Sequence, residues 1–254
     1  TSVVSSETVI SQMDLLSPSF IVTMEFDKKM NTLASPVLEI QNQGVTFGSL
    51  IQNMLQTTWI DTNTLNIEFS IFPSNNDLLS LDLIASLITD ENGNVLADST
   101  YGNLVLSDMH SPDVLSVTKS NAVISDSVIG SIVYYVDVAY SEPMDTTVKP
   151  LISHFASQSL TGSVQYNLPF SQFLDSTNYR AYFQIVDENI EVDPVHIQVD
   201  FGKDFIGNNQ TLFIDSNAVT IDTKNPSIVG LYSNSYLLNQ MGESFNVVAL
   251  FDED

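Results

Sequence analysis

The sequence contains no cysteine and only seven lysine and arginine residues, against 31 aspartates and glutamates, so its formal net charge is −24. Without cysteine the chain has no disulfide, no thiolate ligand for zinc or an iron–sulfur cluster, and no cysteine nucleophile. With so few cations it has no basic cluster of the kind that binds phosphate backbones or anionic lipid headgroups. We therefore expect neither nucleic acid nor a membrane surface as a partner.

Long hydrophobic runs are also missing. No stretch approaches the ~20 apolar residues that cross a bilayer, and no basic segment precedes an apolar one at the start, as a signal peptide requires. We predict no direct membrane insertion by this segment. The lack of cysteine is typical of secreted prokaryotic proteins built without disulfides and equally of many cytosolic proteins, so it does not assign a compartment.

Apolar residues are plentiful despite the charge. They make up 43% of the sequence, with 14 phenylalanines and 9 tyrosines, which is enough to form hydrophobic cores and argues against disorder. Charged residues are only 15% of the chain, below the roughly 25% of average domains. Serine, threonine, asparagine and glutamine therefore supply much of the hydrated surface.

An internal repeat organises the chain. Segments 6–11 and 25–32 reappear at 120–125 and 139–146, both with an offset of 114 residues. The same offset pairs Trp59 with Phe173, Asp61 with Asp175, Asp90 with Asp204, Asp108 with Asp222, and Pro112 with Pro226. Because proline cannot donate to a strand ladder, the two prolines mark the ends of the repeats. We predict a first unit at 1–112, a second unit at 113–226 and the incomplete start of a third at 227–254.

Hydrophobic residues within a unit alternate with a period of two, which predicts strands and little helix. One strand pattern occurs three times, with its apolar positions at Phe20, Val22, Met24 and Phe26, at Tyr134, Val136, Val138 and Tyr140, and at Phe245, Val247, Ala249 and Phe251. Two more strands alternate at 65–71 and 83–87, with counterparts at 179–185 and 197–201. Such content in ~110 residues predicts an all-β fold of tandem immunoglobulin-like β-sandwiches with about seven strands each.

A short motif gives the sequence a family resemblance. An aromatic residue followed by Ser-Glu-Pro-Met-Asp at 141–145, the weaker copy at 27–31, and the linker at 221–226 resemble bacterial immunoglobulin-like repeats of surface-layer proteins and large adhesins. The first unit departs from the motif at Lys29, where the second unit has Pro143. The resemblance implies an extracellular tandem array at the cell surface. It does not imply a catalytic site, because such modules are typically spacers, lattice elements or binding tips, and we expect no enzyme activity.

Enzymatic motifs are absent from the sequence as well. His110, His154 and His196 have no second histidine at metal-ligand spacing, and we expect all three imidazoles to face solvent. No Gly-x-Ser-x-Gly elbow or glycine-rich phosphate loop occurs. The acidic loop at 90–94 is better explained as a hairpin turn, in which Asn-Gly supplies positive φ, than as a calcium loop. The sequon at Asn209 is a weak signal for glycosylation.

Carboxylates at the ends of the units are the candidate ligands. The second strand of each sandwich should return to the linker that precedes it, which brings acids together at two joints. We predict a metal site formed by Asp108, Asp113, Glu142 and Asp145 at the first joint, and by Asp222, Asp252, Glu253 and Asp254 at the second. Oxygen-only ligands suit Ca²⁺, which is the predicted cofactor, although ordinary solvated carboxylates remain the alternative.

Three functions fit these observations. The first is a structural segment of a prokaryotic surface layer or similar cell-surface assembly, which presents an acidic face, concentrates cations and contacts neighbouring copies or further repeats of its own chain. The second is the stalk of a large adhesin whose binding tip lies outside this sequence. The third is an accessory sandwich of a secreted enzyme. Lateral lattice contacts would favour the first, an isolated rod the second, and a catalytic domain in the parent chain the third.

Overall fold

The computed structural model describes residues 1–233 and 245–252. Strands account for 53% of the residues and helix for 3%, which confirms the all-β prediction. In the described part of the chain, no helix is both long and apolar enough to span a membrane.

Two five-stranded sheets form the first unit. One sheet has the order β1-β3-β8-β6 with β7 also paired to β8, and the other has the order β2-β10-β9-β4-β5. Their strands are β1 (Ser2–Ser5), β2 (Val9–Ile10), β3 (Ser19–Glu25), β4 (Val37–Asn42), β5 (Val45–Thr46), β6 (Leu50–Gln52), β7 (Thr58–Trp59), β8 (Thr64–Ile71), β9 (Leu79–Ser86) and β10 (Ser99–Ser107). A 3₁₀ helix at Gln12–Leu16, capped by Ser11, joins β2 to β3.

The second unit repeats this plan with a five-stranded and a four-stranded sheet. The first sheet has the order β11-β13-β17-β15 with β16 on β17, and the second the order β12-β19-β18-β14. The strands are β11 (Val114–Lys119), β12 (Val123–Ser125), β13 (Gly130–Tyr140), β14 (Leu151–Phe155), β15 (Val164–Tyr166), β16 (Gln172–Phe173), β17 (Asn178–Ile185), β18 (Glu191–Asp200) and β19 (Phe213–Asp222). A short 3₁₀ helix lies at Asp126–Val128.

Each unit has its own hydrophobic core, built from the inward positions of both of its sheets. Phe26 and Tyr140, equivalent under the 114-residue offset, are 7% and 3% exposed. The two residues therefore occupy equivalent buried positions in the two units. Both units contain more strands than the predicted seven or so, because two-residue strands such as β5 and β7 are too short to show alternation.

The last apolar residue of one predicted strand is exposed in both units. Leu87 and Phe201 continue the alternation of β9 and β18 in the sequence, yet each lies just beyond the end of its strand and is 63% exposed. Both have positive φ, 57° and 61°, which turns the chain out of the sheet. The two units therefore share this backbone conformation as well as their strand pattern.

The third copy contributes two strands, β20 (Ile228–Ser233) and β21 (Val247–Phe251), which pair antiparallel. Their apolar side chains are largely exposed, including Leu231 at 65% and Phe251 at 54%. Two strands cannot bury both faces by themselves. Pairing between its two strands therefore holds this hairpin together, whereas packed hydrophobic cores stabilise the two complete units.

Candidate functional site

At the start of the second unit and of the third, a strand leads the chain back to the linker that precedes the unit. Ser141, just after β13, donates its N–H to the carbonyl of Asp113 (2.9 Å) and accepts the Asp113 N–H on its hydroxyl (2.9 Å). At the next linker, Asp252 donates its N–H to Ser227 (3.0 Å) and accepts the N–H and hydroxyl of that serine (2.7 and 2.8 Å). The expected approach of the second strand to the preceding linker is confirmed at both places.

A tight loop of the second unit lies against the first joint. Asp204, 1% exposed, accepts the N–H groups of Ile206 (2.8 Å), Gly207 (2.6 Å) and Asn208 (2.9 Å) and the side-chain amide of Asn208 (2.7 Å). Gly207 has a φ of +106°, a conformation that side chains rarely adopt. Asp204 therefore fixes the loop from within, and among the described residues its carboxylate accepts hydrogen bonds from backbone and amide donors.

Asn208 connects this loop to the first unit. Its amide oxygen accepts the N–H of Gln12 (2.8 Å), and its amide nitrogen donates to the carbonyl of Asp108 (3.0 Å). The Gln12 side chain in turn donates to Met109 and Ser111 (2.9 Å each). Asn208 is fully buried, so water does not compete for these bonds. The contact fixes the second unit against the end of the first.

Three carboxylates converge beside Asn208. One oxygen from each of Asp108, Glu142 and Asp204 lies within 4.8 Å of the others. Asp108 is 4% exposed, the Glu142 side chain is 18% exposed, and the Glu142 Oε1 atom is buried without a hydrogen-bond partner. Burial, followed by the charges of Asp108 and Asp204, raises the pKa of Glu142 to about 7. Burial is also the main cause that raises the pKa of Asp108. We call Asp108, Glu142 and Asp204 the joint triad.

The triad borders a cavity of about 380 Å³ between the two units. His110 lies at its rim, with Nδ1 2.9 Å from Asp77 and 3.8 Å from Glu142 Oε1, and with Nε2 4.0 Å from Asp113. Phe205 and Pro143 contribute apolar wall. The cavity is large enough for an ion with water, and the carboxylates of the joint triad are part of its lining.

In the first unit, a lysine occupies the position equivalent to Glu142 and neutralises the neighbouring aspartate. Under the 114-residue offset, Lys28 and Asp90 correspond to Glu142 and Asp204. Lys28 Nζ lies 3.8 Å from Asp90 Oδ2. The second unit keeps the aspartate but replaces the cation by a third acid. The charge that lysine supplies in the first unit is thus missing from the triad.

Two of the four ligands predicted at the first joint come together. Asp108 and Glu142 belong to the triad, whereas Asp113 lies beside His110. The Asp145 carboxylate instead accepts the N–H and hydroxyl of Thr147, at 2.9 and 2.7 Å. A short side chain after a turn commonly accepts such local bonds, and a role of Asp145 as a metal ligand stays a prediction.

Asp204 was not among the predicted ligands. The signal for it is the spacing Asp-x-x-Gly-Asn, which occurs at 90–94 and again at 204–208. The sequence does not show that the second of these loops folds back over the linker.

The second joint is described only in part. Asp222 accepts the N–H of Lys224 at 3.3 Å, and Asp252 binds Ser227 as above and lies 3.9 Å from Lys224 Nζ. Glu253 and Asp254, the other predicted ligands, lie outside the described residues.

The imidazole of His154 was expected to face solvent, but it packs against aromatic residues of the second unit. Its ring packs edge-on against Phe183 with centroids 4.6 Å apart, and Nε2 lies 2.9 Å from the hydroxyl of Tyr134. The residue is partly exposed as a whole, but Nδ1 is buried without a partner. Burial lowers the pKa of His154 to about 3. The imidazole is therefore a neutral core group, at the position that Ile40 fills in the first unit.

This buried histidine predicts acid sensitivity of the second unit. The unfolded chain binds a proton on this histidine below pH ~6.5, whereas the folded chain does not until about pH 3. Stability should therefore fall as the pH drops below ~6.5, by about 3 kcal/mol near pH 4. The double variant Tyr134→Phe, His154→Ile installs the first unit's Phe20 and Ile40 and should flatten this dependence. Hydrogen exchange at each pH measures it, with the first unit as internal control. An equally steep loss in the variant would contradict the assignment.

Comparisons with known proteins give only weak similarities. No family model and no curated protein matches the chain. The N-terminal part of the bacterial S-layer protein SbsC is 11% identical with a TM-score of 0.26, over 87% of this chain and 44% of that one. The structure of surface layer protein SbsC, domains 1–6, is also 11% identical (TM-score 0.26), over 99% and 32%. An endo-fucoidan hydrolase of glycoside hydrolase family 107 is 8% identical (TM-score 0.21), over 85% and 27%. This chain spans less than half of each, and likeness at this level carries no argument about function.

Proposed function

We propose that the chain is a structural segment of an extracellular, cell-surface assembly of a prokaryote, built from tandem immunoglobulin-like sandwiches at 1–112 and 113–226 and the start of a third at 227–254. The observation that carries the proposal is the joint. Asn208 is fully buried and bonds the second unit to two backbone groups of the first. A fixed joint between repeated units is what a load-transmitting or lattice-forming rod requires.

The acidic surface supports the same assignment. A formal charge of −24 on 254 residues keeps the rods soluble and attracts cations to the surface they cover. Partners of matching chemistry are cations, neighbouring copies and further repeats of the same chain. We assign no catalytic residues. The stalk of a large adhesin would use the same joint, and imaging that shows isolated rods without lateral contacts would favour it.

The joint triad is the proposed cation site. Three carboxylates held within 4.8 Å repel one another strongly in a partly buried site, and hard oxygen donors of this kind are the ligands that Ca²⁺ takes in proteins. The fit rests on Glu142, whose Oε1 is buried and has no hydrogen-bond partner among the described residues. Asp108, Glu142 and Asp204 would hold the ion, which supplies the charge that Lys28 supplies in the first unit.

Calcium should stiffen the joint and stabilise the chain. An ion that binds only the folded joint stabilises it by about 2.7 kcal/mol at a hundredfold excess over its dissociation constant. Small-angle X-ray scattering should show a longer particle with calcium than with chelator, and the melting temperature should rise. Sodium chloride at matched ionic strength controls for screening, which acts over ~8 Å at physiological salt. Identical profiles and melting temperatures would refute the cation site.

A further inference from the structure

The first unit carries a second copy of the loop that locks the joint. Asp90 accepts the N–H groups of Asn92 (3.0 Å) and Asn94 (2.8 Å) and the side-chain amide of Asn94 (2.8 Å). Gly93 has a φ of +82°, as Gly207 has positive φ in the second unit. The loop at 90–94 is thus built like the loop at 204–208 and shares three of its four bonds to the aspartate carboxylate; the bond from the Gly207 N–H to Asp204 has no counterpart at Gly93. We call it the Asn94 loop.

The two loops differ in what they touch outside themselves. Asn208 is buried and bonds Gln12 and Asp108 of the preceding unit, whereas Asn94 is exposed. Within the described part of the chain, no hydrogen bond engages the Asn94 amide oxygen, and its amide nitrogen donates only inward, to Asp90. Among the described residues, Asn94 therefore lacks the two bonds that Asn208 makes to the preceding unit. The Asn94 loop nevertheless already has the conformation that positions such a side chain.

We propose that the Asn94 loop is a docking site for the far end of another unit of this repeat, namely the end formed in the first unit by residues 11–12 and 108–112. Such an end offers one backbone N–H, as Gln12 does, and one backbone carbonyl, as Asp108 does. These are the two groups that a carboxamide held like that of Asn208 binds. The proposal rests on the proposed function and names the partner of its repeated joint.

The charge at the Asn94 loop differs from that at the first joint. Lys28 pairs with Asp90 at 3.8 Å, so an arriving carboxylate equivalent to Asp108 would meet one cation and one anion. At the described joint the same carboxylate meets Glu142 and Asp204, both acidic. A unit docked on the Asn94 loop should therefore need no divalent ion.

A lengthened chain tests the docking site. A second copy of residues 1–114 placed directly before Thr1 keeps the 114-residue spacing of the repeat. We expect Asn94 of the original first unit to become protected, with slowed exchange of its side-chain amide, and scattering to show one extended rod. The chelator should leave this new joint unchanged.

Two variants separate docking from mere tethering. Asn94→Ala in the original first unit should loosen the new joint, while the same change in the unextended chain leaves its shape unaltered. Gln12→Pro in the added copy removes the donated N–H at the first residue of a 3₁₀ helix, a position where proline is well tolerated. It should also loosen the new joint. Gln12→Ala removes only the side-chain bonds to Met109 and Ser111 and is the matched control. Protected amides of β3 and β8 in the added copy show that it has folded.

The outcomes distinguish this inference from the cation site. If the extended chain carrying either variant is as rigid as the extended chain without it, or if Asn94 exchanges as fast as in the original chain, the docking site is wrong. If chelator loosens neither joint, the cation site is wrong and the docking site stands.

Discussion

Glu142→Lys should abolish the response of the protein to calcium. The lysine would face Asp204 as Lys28 faces Asp90, at 3.8 Å in the first unit, and would turn three clustered carboxylates into a cation between two anions. We expect the melting temperature and scattering profile of the variant to be the same in calcium and in chelator. In chelator the variant should be more stable than the original chain, because repulsion between the buried carboxylates is relieved.

A charge-matched control shows whether the effect belongs to the joint. Asp98→Lys makes the same change in net charge at an exposed position of the first unit and should keep the full calcium response. If Glu142→Lys retained that response, or if both variants lost it together, the triad would not be the site of the ion.

Asn208→Ala should have the largest effect on the mechanical coupling of the two units. It leaves the Gln12 N–H and the Asp108 carbonyl without their partner in a buried place, which costs about 2–4 kcal/mol for two lost bonds. Asn94→Ala removes the same internal bond to an aspartate but none across a joint, and should cost about 1 kcal/mol. The difference between the two variants measures the joint itself. Chemical unfolding gives both values, and scattering shows whether the units have become independently oriented.

Equal losses in the two asparagine variants, with an unchanged scattering profile for Asn208→Ala, would mean that the contact between the loop and the first unit does not hold the units together.

The fold was predictable because the repeat and the alternation are local properties of the sequence. Long strands such as β8 and β17 bury every second residue, and this pattern is visible without coordinates. The two-residue strands are not visible, since one pair of residues shows no period. The exposure of Leu87 and Phe201 was not predictable for a related reason. Alternation does not show where the backbone conformation turns the last apolar residue of a strand outward.

The site was half predictable. Asp108 and Glu142 were expected to meet because connectivity alone brings a returning strand to its linker. Asp204 joins the triad because a loop from the other sheet crosses the linker. The Asp145 carboxylate accepts a local hydrogen bond from Thr147. The sequence pattern shows neither contact. His154 replaces Ile40 in the repeat, and that equivalence, rather than the polarity of histidine, correctly indicates the core.

Crystals grown with calcium would show whether an ion occupies the joint triad. We expect an anomalous difference peak at the joint, with oxygens of Asp108, Glu142 and Asp204 at roughly 2.3–2.6 Å from the ion. Replacement of calcium by a lanthanide should strengthen the peak at the same position. A joint in which the three carboxylates stand together as described, with only water between them at saturating calcium, would contradict the proposed cation site.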